Sequence, residues 1–335
     1  MRLLSGLVLA MATISAPLMA APDSVTVYSY RQPFLIEPIL KDFTAKTGIK
    51  VDVVFAKDGI AERIKREGRL SPADLVLTAD FSRLMELVEL DLVQPVASDS
   101  LSAAIPEQFR SRDDLWFSLT KRVRNIYSSK ERLGAIDVSY EDLASPQFKG
   151  KICTRSGKHP YNIALVASML SHHGEAETRA WLEGFKANLA QRPQGNDRAQ
   201  VKAVKEGLCD IAIGNSYYLG SMMMDPEQQA WAESVVINFP NQSSRGAHIN
   251  VSGMAMTKHA PHQASTLKLM EYLASNEAQT KYAEVNFEYP VNPQVPASAM
   301  VASWGKFKED HLPIQALADN HSAAVKLLDE VKFDL

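Results

Sequence analysis

Beginning at Ser24, short apolar runs alternate with segments whose apolar positions recur every three or four residues. A strand repeats every two residues and a helix every 3.6, so the two patterns can be told apart. Strands are expected at Val25 to Tyr28, Val51 to Phe55 and Asp74 to Thr78, and helices at Ile36 to Thr47, Ile60 to Glu67 and Phe81 to Leu90. A second series begins near Gly150, with strand Lys151 to Arg155, helices Asn162 to His172, Glu175 to Asn188 and Ala199 to Glu206, strand Asp210 to Gly214, and a further helix. Strands alternating with helices predict an α/β fold with a largely parallel sheet.

The two series echo each other. An amphipathic helix from Ile60 stops at Gly68 before a buried strand, and one from Ala199 stops at Gly207 before another, so two related lobes are expected. Between them, Trp116 to Tyr127 alternates apolar and polar residues as a strand crossing from lobe to lobe would. Val235 to Phe239 and Ile249 to Met256 would return the chain, followed by helices Ala264 to Ala274 and Glu277 to Val285. The expected division is 21–120 with 240–295 in an N-terminal lobe and 121–239 with 296–335 in a C-terminal lobe. A chain that crosses more than once between lobes has a hinge able to close on a ligand.

The first twenty residues differ from the rest. Arg2 precedes an apolar run from Leu3 to about Ala16, then Pro17 and the small residues Ala20 and Ala21, the pattern of an export signal cleaved after one of those alanines. The interruptions at Ser5, Thr13, Ser15 and Pro17 come too early for a membrane span of about 20 apolar residues. The 335 residues, 46% hydrophobic and 22% charged, suit roughly two domains, and a net charge of −3 advertises no nucleic-acid partner. A small ligand and a monomer are expected. The two cysteines, Cys153 and Cys209, are too few for a disulfide scaffold, but an oxidising compartment makes one bridge between them reasonable.

In open α/β sheets ligands bind beyond the carboxyl ends of the strands, and the loops there are rich in phenols. They read Tyr28-Ser29-Tyr30-Arg31-Gln32-Pro33, Ala79-Asp80, Ser156-Gly157-Lys158-His159-Pro160-Tyr161-Asn162 and Asn215-Ser216-Tyr217-Tyr218. Neighbouring tyrosines within a strand point apart, one to the core and one to solvent, but a strand-to-helix turn would let Tyr217 and Tyr218 converge. Both arrangements remain open from these residues. His172-His173 at a helix end reads as helix-terminus or solvent contacts, and Met222-Met223-Met224 as packing. No GxSxG, HExxH or cysteine/histidine arrangement places a catalytic nucleophile or metal-bound water, so an enzyme is not expected.

The segments VYSYRQPFLIEP, SPADLVLT, WFSLTKRVRNIY, GKICTRSGKHPYN, RPQGNDRAQVKAVKEG, IGNSYYLG and FEYPVNP together resemble the periplasmic ferric-iron-binding proteins, the substrate-binding subunits of bacterial iron ABC transporters. The resemblance covers nearly the whole mature chain. It implies a two-lobed, hinged type II periplasmic binding protein fold, ferric iron as cargo, delivery to a membrane permease, and iron ligation by Tyr161, Tyr217 and Tyr218.

The chemistry is coherent with this. A phenol with a pKa of about 10 must lose its proton to bind a hard trivalent cation, and three phenolates balance the ferric charge. Carbonate or water would complete the shell, with Arg31 and Arg155 as the candidate anion partners. Tyr30, Gln32, Asn162 and Arg122 are expected around that centre. Relatives with histidine and tyrosine after the first-strand arginine have an extra ligand there; here Gln32 and Pro33 stand in those positions. The alternative within the same fold is a carrier of an anion or organic solute.

Overall fold

The computed structural model describes residues 23–335, so the predicted export signal lies outside the described residues. Among the described residues nine strands follow in order: β1 (Ser24–Ser29), β2 (Lys50–Phe55), β3 (Leu75–Thr78), β4 (Phe117–Ser129), β5 (Ile152–Cys153), β6 (Ile211–Asn215), β7 (Val235–Asn238), β8 (Ile249–Met256) and β9 (Tyr289–Pro290). Val25 and Val27 of β1 are fully buried while Ser24 and Thr26 are half-buried. The strand therefore has one face for the core and one against partly covered surface. It pairs in parallel with β2 on one side and β3 on the other.

The expectation of a largely parallel sheet is corrected. β3 pairs antiparallel with β8, and β4 pairs antiparallel with β8, β6, β7 and β9. The cause is the crossing itself: strands that carry the chain from one lobe to the other lie between the two parallel units and run against their neighbours. β4 pairs with β8 from Phe117 to Val123 and with β6 from Arg124 to Ser128, so a single strand belongs to both lobes. β5 pairs in parallel with β6. The helix, glycine and strand echo thus occupies matching places, with β3 and β6 each beside one parallel neighbour and one crossing strand. Gly68 and Gly207, which end the two helices, both adopt the positive φ that glycine tolerates without a Cβ clash.

One core surrounds the first sheet and includes Phe43, Phe81, Leu84, Phe117 and Leu269. The second sheet is covered on both faces. Ile126, Ile211 and Ile213 pack towards Trp181 and Phe185, whereas Tyr127, Cys153 and Ala212 pack towards Val201, Val204 and Met222. The closing segment is shared, with Ile314 and Leu317 in the first core and Ala324, Leu327 and Phe333 in the second. Cys153 and Cys209 are joined by a disulfide with Cα atoms 5.9 Å apart. It ties β5 to the approach to β6.

The two predicted helices at 162–172 and 175–188 are both found within Pro160–Ala187, separated by a kink at Gly174, whose φ of 76° and ψ of 178° are not helical. His172 and His173 sit just before that break and pair with Asp310 and Glu141, both at 2.7 Å. Among the described residues no helix is long and apolar enough to cross a membrane.

Candidate metal-binding site

Each phenolic loop is fixed by local hydrogen bonding at a strand-to-helix junction. After β1, the Ser29 hydroxyl accepts from the Arg31 amide at 3.0 Å and donates to the Arg31 carbonyl at 2.8 Å. Gln32 is extended and Pro33 begins helix Pro33–Thr47, a position where proline loses no helical hydrogen bond. After β5, the Nδ1 of His159 caps helix Pro160–Ala187 by accepting from the Tyr161 amide at 3.2 Å. That cap requires a neutral ring, and burial together with the nearby Arg155 cation pushes the His159 pKa down to about 3. After β6, Ser216 ties the tyrosine pair to the crossing strand: its amide donates to the Val123 carbonyl at 3.0 Å and its hydroxyl accepts from the Val123 amide at 3.2 Å.

These junctions meet around a cavity of about 280 Å³ whose walls come from both lobes. Tyr30, Arg31, Gln32 and Ala79 line it from the first lobe, and Tyr161, Tyr217 and Tyr218 from the second, with Arg122 of β4 between. The hydroxyls of Tyr161 and Tyr217 lie 3.2 Å apart. The rings of Tyr217 and Tyr218 have centroids 4.1 Å apart and are tilted by 33°. The adjacent tyrosines therefore converge, because the helix Tyr217–Met223 starts immediately after β6 and rotates their side chains to one side. Burial, with the other two phenols close by, pushes the Tyr217 pKa well above its ordinary value; burial pushes Tyr218 up as well. In the metal-free state both are protonated phenols.

Positive charge surrounds the phenols. Guanidinium carbons of Arg122, Arg124 and Arg155 stand 5.6, 5.9 and 5.4 Å from the Tyr161 ring centroid, and that of Arg198 stands 5.9 Å from the Tyr218 ring. Such cations favour an electron-rich ring and favour it more when it becomes a phenolate. Arg31 is almost fully buried and gives one arm to Glu288 at 2.8 Å. Arg122 reaches the other oxygen of the same carboxylate at 3.2 Å, and Thr120 donates to it at 2.6 Å. Burial alone would raise the Glu288 pKa, but the two guanidiniums and the Thr120 hydroxyl outweigh it and hold the carboxylate ionised. The Nε atoms of Arg31 and Arg122 are buried without a protein partner.

Of the residues expected around the centre, Tyr30, Gln32 and Arg122 line the cavity, whereas Asn162 and Arg155 do not. Asn162 is a scaffold: its amide donates to Thr154, Arg155 and Ser156 oxygens at 3.2, 3.0 and 3.1 Å, and its carbonyl accepts from Arg124 at 2.7 Å. Arg155 pairs with Asp197 at 3.2 Å. Tyr28 does not line the cavity and donates to Glu67 at 3.0 Å. Two charged wall residues escaped the sequence reading, Glu288 and Arg198, as did Phe34, Leu35, Ser221 and Asn286. Glu288 lies inside the segment FEYPVNP, and a lone carboxylate in an apolar run is a signal that it needs a buried partner. Arg198 carries no such signal. Among the described residues no three His, Cys, Asp or Glu side chains gather as a metal cluster, so the phenols are the concentrated oxygen donors of this cleft.

The profile of the bacterial extracellular solute-binding protein family matches residues 39–309. The chain is 42% identical over 322 residues to iron uptake protein A1 of a Synechocystis species, covering 94% of this chain and 89% of that protein. It is similar to the open form of ferric iron-binding protein A of Mannheimia haemolytica, with TM-score 0.90 and 53% identity, over 93% of this chain and 99% of that one. It is also similar to a Trichodesmium protein, IdiA (FutA), solved in complex with iron and citrate ligands, with TM-score 0.88 and 40% identity over 92% of this chain and 99% of that one.

Proposed function

The chain belongs to the bacterial extracellular solute-binding protein family, and from that premise we propose that it is a periplasmic carrier that captures ferric iron and passes it to the permease of an ABC transporter. The observation that carries this reading is the convergence of three phenols, Tyr161, Tyr217 and Tyr218, from two separate junctions onto one cavity shared by both lobes. The iron-named relatives support it.

In this reading the three tyrosines ligate the metal as phenolates. The raised pKa values of Tyr217 and Tyr218 mean that the cation must displace their protons, so binding is coupled to proton release. Arg122, Arg124 and Arg155 around Tyr161 and Arg198 against Tyr218 compensate the negative charge that then appears. A small anion such as carbonate, or water, completes the coordination, supported by Arg31, which lines the cavity with its Nε free of protein partners. Arg155, spent on Asp197 and outside the cavity wall, acts through charge alone. Closure about the β4 crossing brings Tyr30 and Gln32 over the metal, and protonation, loss of the anion or reduction of the iron favours release.

The test is a visible absorption titration of the metal-free protein with a weakly chelated ferric salt, repeated for Tyr217→Phe. A stoichiometric phenolate-to-iron band that weakens or shifts in the variant supports the reading. Absence of the band from the unaltered protein overturns it in favour of an anion or organic solute.

A further inference from the structure

The loop that delivers Tyr161 to the cleft has little regular structure of its own. Between β5 and Pro160 the chain runs through Thr154 to His159, and Asn162 holds its inner side through the Arg155 and Ser156 carbonyls. Its outer side is held by a segment far away in sequence. One carboxylate oxygen of Asp334 accepts from the Gly157 amide at 2.7 Å and the other from the Ser156 hydroxyl at 2.5 Å. Ser156 in turn accepts from the Lys158 amide at 3.1 Å.

The segment that carries Asp334 is itself anchored. Phe333 is buried, with its ring 5.1 Å from that of Phe185. Lys186 donates to the Val331 carbonyl at 3.1 Å, and Arg192 to the Asp334 carbonyl at 3.3 Å. Contact between loop and segment is close enough to demand glycine: a Cβ on Gly157 would stand 2.7 Å from Phe333 and 2.9 Å from Leu328. A charged acceptor on two donors is among the stronger hydrogen-bond arrangements, and here it bears on a loop only a few residues from a phenol that lines the cleft.

We infer that Asp334 is a positioning residue for Tyr161: its carboxylate clamps Ser156 and Gly157 and so fixes the phenol where it meets Tyr217. The inference rests on the reading of Tyr161 as an iron ligand. It does not require Asp334 to touch the metal, and an effect on iron would pass through the loop.

The experiment follows the phenolate-iron absorption band of the full chain and its decay when excess competing chelator is added, for the unaltered protein and for Asp334→Ala, Ser156→Ala and Asp329→Asn. Asp329→Asn removes a charge from the same surface, where Asp329 pairs with the exposed Lys158 at 2.6 Å. Asp334→Ala and Ser156→Ala are expected to bind iron at full stoichiometry, to shift the band, and to release iron about ten-fold faster. Asp329→Asn should behave as the unaltered protein, and the thermal midpoint of metal-free Ser156→Ala should not move. Unchanged bands and release rates in both the Asp334 and Ser156 variants overturn this inference alone. Faster release in Asp334→Ala with an unmoved band and a normal Ser156→Ala also overturns it, because that combination reports loosening of the fold. An unaltered protein with no band overturns the iron reading and this inference with it.

Discussion

The hydroxyl oxygens of Tyr161 and Tyr217 lie 3.2 Å apart although 56 residues separate them in sequence. Two ionised phenolates at that distance would repel, so in the metal-free protein the pair shares a hydrogen bond, consistent with the raised pKa of Tyr217. In the proposed reading a trivalent cation displaces the protons of both phenols and turns the repulsion between two phenolates into common ligation. Tyr161→Phe or Tyr217→Phe is therefore expected to weaken ferric binding by more than about 100-fold, since even groups one step removed from a metal are worth 10 to 100-fold. Tyr30→Phe removes only an acceptor for the Ala61 amide at 3.3 Å and should leave affinity within about fivefold. Competition titrations against a chelator of known strength measure all three, and equal losses for Tyr30 and Tyr161 would contradict the assignment.

Asp197 anchors the same junction from below. Fully buried, it accepts from Arg124 at 2.6 Å, Arg155 at 3.2 Å and the Asn215 amide at 2.9 Å, two residues before Tyr217. Removing one partner of a buried pair strands the other charge. Asp197→Leu is expected to cost about 3–5 kcal/mol in denaturant unfolding, and the double variant Arg124→Met with Asp197→Leu should recover a large part of it. A double variant as unstable as the sum of the two single ones would show that the pair's charges are not what couples them.

How much of this was legible in the sequence follows from which signals are local. Helix Ile60–Glu67 and strand β8 are found at the bounds their periodicity indicates, because their apolar spacing and the glycine at the helix end are local. The crossing strand was readable from alternation in Trp116 to Tyr127, and β4 runs from Phe117 to Ser129. Its antiparallel neighbours were not readable, since which strands flank a crossing depends on how the two lobes come together. At the cleft, the phenols stood out as residue types in post-strand loops. Glu288 did not, because its meaning comes from Arg31 and Arg122, which are 257 and 166 residues away. The hold of Asp334 on the Tyr161 loop was hidden for the same reason, the two being 178 residues apart at Ser156.

The Cys153 to Cys209 disulfide closes a loop that contains Tyr161 and all of helix Asp197–Lys205. A cross-link spanning 56 residues restricts the unfolded chain more than the folded one. Reduction, or Cys153→Ser with Cys209→Ser, is expected to lower unfolding free energy by about 2–4 kcal/mol. The ferric band should survive in the folded fraction, because neither sulfur lines the cleft. Thiol titration of denatured, unreduced protein checks the premise, as two reactive thiols would rule the bridge out.

Glu141 ties the returning segment between β7 and β8 to the second lobe. It accepts from Asn241 at 2.7 Å, pairs with Arg245, and meets His173 at 2.7 Å. Burial raises its pKa, but the Asn241 and Arg245 hydrogen bonds outweigh that and hold it down to about 2. A carboxylate depressed in the folded state contributes stability that is fully present above its ordinary value and disappears as pH falls from there towards about 2. The side chain is 35% exposed, so solvent screening reduces the contribution to roughly 1 kcal/mol. Unfolding measured across that acid range should show Glu141→Gln losing less stability than the unaltered protein, the two curves approaching each other as pH falls. Parallel curves would mean that the carboxylate charge contributes nothing to this junction.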